Sequence, residues 1–162
     1  KLPAQIKDVF RGVDLILHAG DIWMPWVLDD LEAVAPVLSA WGDDDMEEDF
    51  VDDARMMKEP TLILEGTTIW VQHTKPRYGQ IYPNETAHPS PFSRQAQAKD
   101  PEDHPDVVVF GHSHFAEIEH YKEVLLINPG SPTLPIYIPK LGTVGLLTLN
   151  SGQVEAQLVQ LE

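Results

Sequence analysis

The 162-residue sequence contains no cysteine, which excludes disulfides and thiolate metal sites alike. It is also poor in positive charge: 11 Lys and Arg stand against 26 Asp and Glu, for a formal net charge of −15. A field of that sign repels phosphate backbones and anionic lipid, so extended binding to nucleic acid or membrane is not expected, whereas divalent cations are attracted. No apolar run approaches membrane-spanning length, and no secretory signal pattern is found. With the lack of thiols, this leads to the expectation of a cytoplasmic setting. Low-complexity tracts and internal repeats are missing as well. The length and the 43% hydrophobic content fit one domain over residues 1–162, large enough for a substantial core.

What is present is a recurring arrangement of strand, glycine and metal-type ligand. Residues Val109 to His114 read Val-Phe-Gly-His-Ser-His, an apolar strand that stops at a glycine and then presents two histidines. Residues Asp14 to Asp21 (Asp-Leu-Ile-Leu-His-Ala-Gly-Asp) and Pro36 to Asp45 (Pro-Val-Leu-Ser-Ala-Trp-Gly-Asp-Asp-Asp) end the same way on carboxylates. Thr68 to His73 delivers a histidine without the glycine. One His-x-His is weak by itself. Four short strands each delivering Asp or His at the carboxyl end are a stronger signal, because ligands of open α/β sheets gather there. A mixed carboxylate and imidazole set suits manganese, zinc or iron.

In this order, Gly20-Asp21, Gly42-Asp43-Asp44-Asp45, His73 and Gly111-His112-Ser113-His114 resemble the motifs of the calcineurin-like metallophosphoesterases. The resemblance is to their small single-domain bacterial and archaeal phosphodiesterase branch. It extends through Ile127-Asn128-Pro129-Gly130-Ser131. It implies an α/β/β/α sandwich of two mixed sheets, complete or without its first strand. It implies two divalent ions, manganese first with zinc, iron or nickel as alternatives, and a hydroxide bridging them that attacks phosphorus in line. Asp21 would bridge the ions; Asp43, His73 and His112 would complete one site, and His114 would belong to the other. Asp44 would be a proton donor to the leaving oxygen, and Lys75 and Arg77 would pair with phosphate or balance local carboxylates.

The chain departs from the pattern three times. The family's opening Asp-x-His strand, which gives two ligands to the first metal, is not among these residues; where that strand is supplied two ions are expected, and where it is truly absent the first site keeps Asp21 and His114 and only one ion is expected to be held. Asp43 replaces an asparagine, adding negative charge where an anionic phosphate would sit. His73-Thr74-Lys75 stands in place of His-Gly-His.

Periodicity places helices at Lys1 to Phe10 and Pro25 to Val34, with Pro25 suited to a first turn. Strands are expected at Asp14 to His18, Val37 to Trp41 and Val107 to Phe110. Hairpins are expected for 61–64 with 68–73, 117–121 with 124–128, and 142–149 with 154–161. The proline-rich stretch Gly79 to Pro105, with a helix at Pro91 to Lys99, reads as a loop that covers the site or as a surface excursion. The acidic run from 43 to 53 reads as a solvated face apart from Asp43 and Asp45. His18 is expected to pack or hydrogen-bond behind Asp21; His88, His104 and His120 to be solvated; Trp23 and Trp26 to pack in the core or an interface; and Asn128 to Ser131 to shape a tight turn.

Two functions follow. The first is a metal-dependent phosphoesterase acting on a small phosphoester, with a diester favoured and a homo-oligomer left open. The second is a scaffold of the same fold that binds partner proteins, as in a retromer subunit with that fold. The departures favour the scaffold; five ligand-type residues kept in order favour the enzyme.

Overall fold

The computed structural model describes residues 2–82 and 104–162. The His88 reading and the expected helix at Pro91 to Lys99 therefore lie outside the described residues. The chain runs α1 (Ala4–Val9), β1 (Ile16–His18), α2 (Pro25–Glu32), β2 (Val37–Ala40), a 3-10 turn at Glu47–Asp49, β3 (Met56–Met57), β4 (Thr61–Leu64) and β5 (Thr67–Val71). It continues through α3 (Tyr78–Ile81), β6 (Val107–Val109), β7 (Glu117–Tyr121), β8 (Val124–Asn128), a 3-10 turn at Pro135–Tyr137, β9 (Thr143–Asn150) and β10 (Gln153–Gln160).

Each element follows from its local residues. Pro25 opens α2, where its missing N–H costs nothing, and Leu28 and Leu31 supply the buried face. Two left-handed residues in succession, Ser151 and Gly152, let β9 turn directly into β10. Glu65 and Gly66 do the same between β4 and β5.

The strands form one five-stranded sheet in the order β4-β5-β6-β8-β7, a parallel three-stranded sheet β1-β2-β3, and an antiparallel pair β9/β10. In the large sheet β5, β6 and β8 are parallel while β4 and β7 are antiparallel edges. Alternation sorts its two faces. Val107 and Val109 join Ile69, Val71 and Ile127 in the core between sheets, and Val108 and Phe110 join Leu126 and Ile81 beneath α3. The helices α1 and α2 cover the outer face of the small sheet through Ile6, Leu28 and Leu31. The result is the expected layering of helix, sheet, sheet and helix. Each fully buried Val or Ile of the inner layers contributes about 1.5–3 kcal/mol.

The smaller layer is interrupted. Among the described strands β1 pairs only with β2, and β9 only with β10. Between β1 and β9 lies a cavity of about 1610 Å³, lined by Leu15, Leu17, Leu146 and Leu149 among others. The β1 and β9 edges share no ladder hydrogen bonds across it, so the second layer is two pieces rather than one mixed sheet. Among the described residues no helix is long and apolar enough to cross a membrane.

Backbones approach very closely at the carboxyl ends of β1 and β2. A Cβ on Gly42 would stand 2.1 Å from the Asp21 amide nitrogen, and one on Gly20, which has φ +91, would meet Gly42 Cα at 2.6 Å. Backbone on both sides leaves nothing flexible to yield. Gly42→Ala should therefore destabilise the fold by about 3 kcal/mol, the upper end of ordinary overpacking. Urea denaturation checks this, with the midpoint lowered and the slope unchanged.

Candidate metal centre

The parallel strands β1, β2, β5 and β6 all point their carboxyl ends to one rim. There the chain leaves each strand in a short turn: Gly20-Asp21 after β1, Gly42-Asp43 after β2, His73 after β5 and Gly111-His112 after β6. The last two turns are tied together by the Gly111 N–H, which donates to the His73 carbonyl at 2.8 Å.

His73 is buried, and its Nδ1–H donates to the Ala19 carbonyl at 2.7 Å. That bond fixes the tautomer and leaves the Nε2 lone pair facing inward. Around Nε2 lie Asp21 Oδ2 at 3.3 Å, Asp43 Oδ2 at 3.6 Å and His112 Nδ1 at 3.2 Å. His112 Nδ1 is in turn 3.1 Å from Asp43 Oδ2. Asp21, His73 and His112 each offer a ligand atom within 4.8 Å of the others. This donor set fits a metal. Two carboxylates and two imidazole nitrogens crowd together around one point. A divalent cation satisfies all of them at once and cancels the two negative charges. The floor is closed while the mouth is open: the side chain of Asp21 is 16% exposed and that of Asp43 is 66% exposed.

Asp45 holds the frame. Its buried carboxylate accepts four backbone N–H groups: Asp21 at 3.0 Å and Gly42 at 2.8 Å on Oδ2, Ile22 at 2.6 Å and Trp23 at 3.0 Å on Oδ1. The Asp44 N–H then donates to Asp21 Oδ1 at 3.0 Å, turning Oδ2 toward His73. Asp44 thus touches the centre through its backbone. His18 accepts the Gly20 N–H on Nδ1 at 3.2 Å, and burial holds its pKa below the ordinary histidine value.

His114 stands outside the three-residue cluster, with Nδ1 bonded to the Leu134 carbonyl at 2.9 Å. Lys75 is turned onto Glu119 and Glu117, with Nζ at 2.5 and 3.3 Å. Arg77 precedes α3, where its backbone N–H donates to the Gln80 side chain at 2.7 Å. Trp23 and Trp26 are 56% and 45% exposed, so of the two expected settings, core or interface, the core is excluded. His120 is exposed, but His104 is partly buried against Tyr82 and pairs with Glu123 at 3.1 Å. The expected solvation of His104 is corrected accordingly.

Sequence reasoning underrated two residues. Asp45 was visible as the third carboxylate after Gly42, but its role depends on a loop 24 residues away in the chain. Asn128 is fully buried and does more than shape its own turn: its amide donates to the Gly111 carbonyl at 2.9 Å and to Ser113 Oγ at 3.0 Å.

The model of the calcineurin-like phosphoesterase superfamily domain matches residues 1–152. Among curated proteins, a "Probable metallophosphoesterase" of Methanothermobacter thermautotrophicus is 29% identical over 160 residues, covering 99% of this chain and 83% of that one. A second, from Methanocaldococcus jannaschii, is 27% identical over 163 residues, covering 100% of this chain and 74% of that one. Among solved structures, Vps29 of Entamoeba histolytica complexed with zinc superposes with a TM-score of 0.66 at 18% identity, covering 99% and 90% of the two chains. An archaeal phosphodiesterase gives a TM-score of 0.66 at 18% identity, covering 96% and 90%. At such identities the structural likeness establishes the fold.

Exchanging Asp45 for asparagine replaces one acceptor oxygen by a donor NH2 that faces two N–H groups. Hydrogen bonds to a charged group contribute about 1.5–3 kcal/mol each, so Asp45→Asn should cost about 3 kcal/mol. Thermal or urea unfolding of the metal-free protein measures it directly.

Proposed function

This chain belongs to the calcineurin-like phosphoesterase superfamily, whose curated relatives are metallophosphoesterases, and we propose that its strand-end cluster hydrolyses small phosphodiesters. The observation that carries this reading is the convergence of Asp21, Asp43, His73 and His112 on one point. A divalent ion held there supplies a Lewis acid for the phosphoryl oxygens and acidifies water toward neutral pH. Manganese is the preferred ion, with zinc, iron or nickel as alternatives.

The chain's own residues do the positioning. His73 presents Nε2 because Ala19 occupies its other nitrogen. Asp21 is aimed by the Asp44 N–H and has a second oxygen to share, which suits it to a bridging role between two ions. His114 would serve the second ion together with an Asp-x-His strand. Asp44, exposed beside the cluster, would donate the proton to the leaving oxygen. Arg77 is the better outer phosphate contact, since Lys75 already neutralises Glu117 and Glu119. Asp43 opposes an anionic substrate through its charge. The lack of cysteine supports a cytoplasmic setting, and the net charge of −15 supports a small substrate rather than a nucleic acid or membrane partner; we leave a homo-oligomer as the alternative to a monomer.

A scaffold is the second reading. It draws on the exposed apolar side chains of Phe115, Ile136 and Ile138, and on His114 standing apart from the cluster.

Metal content tests the cluster first. Protein purified without chelator should carry about one divalent ion, and His112→Ala should carry far less; equal content in both would refute the cluster as a site. With an Asp-x-His strand supplied, manganese-dependent hydrolysis of bis-p-nitrophenyl phosphate should appear. Asp21→Asn should lower it roughly 100-fold or more, since even supporting residues of metal sites cost 10–100-fold. Asp43→Asn should keep or raise the rate. Metal binding without turnover supports the scaffold, and turnover indifferent to Asp21→Asn places the chemistry elsewhere.

A further inference from the structure

The loop from Leu134 to Tyr137 carries the least comfortable backbone among the described residues. Ile136 has φ 51 and Tyr137 has φ 58, two left-handed residues in succession, neither of them glycine, asparagine or aspartate. For a β-branched isoleucine this is a true outlier, and such strain persists only where surrounding contacts over-determine it. The contacts are all directed at one target. The Ile136 N–H donates to the His114 carbonyl at 3.2 Å. The Tyr137 hydroxyl donates to the His112 carbonyl at 3.2 Å. Its ring stacks on the His114 imidazole, with centroids 4.4 Å apart and planes inclined by 21°. The Leu134 carbonyl accepts both the Tyr137 N–H at 3.1 Å and His114 Nδ1–H at 2.9 Å.

We propose that Tyr137 is a positioning residue that clamps the His112-Ser113-His114 turn, fixing the His114 tautomer and the aim of His112. Four contacts reach the turn from this short loop, two of them from the Tyr137 side chain. The Tyr137 N–H holds the Leu134 carbonyl in place, and the stacked ring holds the imidazole against that carbonyl, so that Nδ1 keeps the proton. Nε2 is left as an acceptor, the form that a metal requires. Nothing in the core demands this arrangement, since the Tyr137 side chain is largely exposed: the residue is 63% accessible. Its ring covers a histidine rather than filling a cavity.

This proposal rests on the metal-centre reading for its purpose but not for its geometry, and the test separates them. In metal-free protein, long-range proton–nitrogen correlation of the histidine side chains should show His114 with Nδ1 protonated. Tyr137→Ala should shift it toward the mixed tautomers of a free imidazole, with the urea midpoint nearly unchanged. Tyr137→Phe, which keeps the stack and loses the hydroxyl, should retain the tautomer. Titration with manganese or zinc alone should show a Kd raised about 10–100-fold by Tyr137→Ala and much less by Tyr137→Phe. An unchanged His114 tautomer in Tyr137→Ala overturns the proposal, as does an unchanged Kd. A shifted tautomer in a protein that binds neither ion, wild type included, would overturn the metal-centre reading and leave the clamp standing.

Discussion

A carboxylate buried among backbone amides underlies the whole rim. Asp45 accepts four N–H groups from two separate loops, and no cation is needed to hold its charge because those dipoles all point at it. The two loops leave adjacent parallel strands, β1 and β2, which would otherwise splay where ladder bonding stops. Pinning both to one side chain brings Gly20 and Gly42 into backbone contact. It also delivers Asp21 to His73 across the gap between sheets. The acidic side chains at the mouth then sit on a rigid base instead of repelling one another outward.

The second sheet supplies its share through packing. β5, β6 and β8 are flanked by partners and apolar on both faces, so the turns that follow them start from fixed points. Asn128, at the end of β8, ties its own turn to the one that carries the histidines. The ligand atoms therefore come from two layers, each stiff for its own reason. Their mutual distances depend on the inter-sheet core of Ile69, Val71, Val107, Val109 and Ile127. A cavity in that core would be felt at the centre, even though none of these residues touches it.

Much of this was legible in the sequence, and the reasons differ by element. Strands β7 and β8 fall on the expected residues, 117–121 and 124–128, because an apolar run and a clear turn bound them. The candidate ligands at the ends of β1, β2 and β6 were readable because glycine and then Asp or His follow apolar residues abruptly, and His73 after β5 because a histidine ends an apolar strand without the glycine. β3 was not, since two residues carry no period. The separation of β9 and β10 from β1 was hidden because strand patterns tell which residues are buried, not which edges meet. Tyr137 left no trace at all: its role depends on a loop conformation that residue type alone disfavours.

Asp21, His112 and His114 all sit at positive φ, at 59, 66 and 56. Aspartate and histidine enter that region more readily than most residues, yet glycine would occupy those backbones with less strain still, so backbone comfort and the candidate ligand set pull in opposite directions at the same three positions. A library of this domain sorted only for heat resistance should drift away from its own ligands.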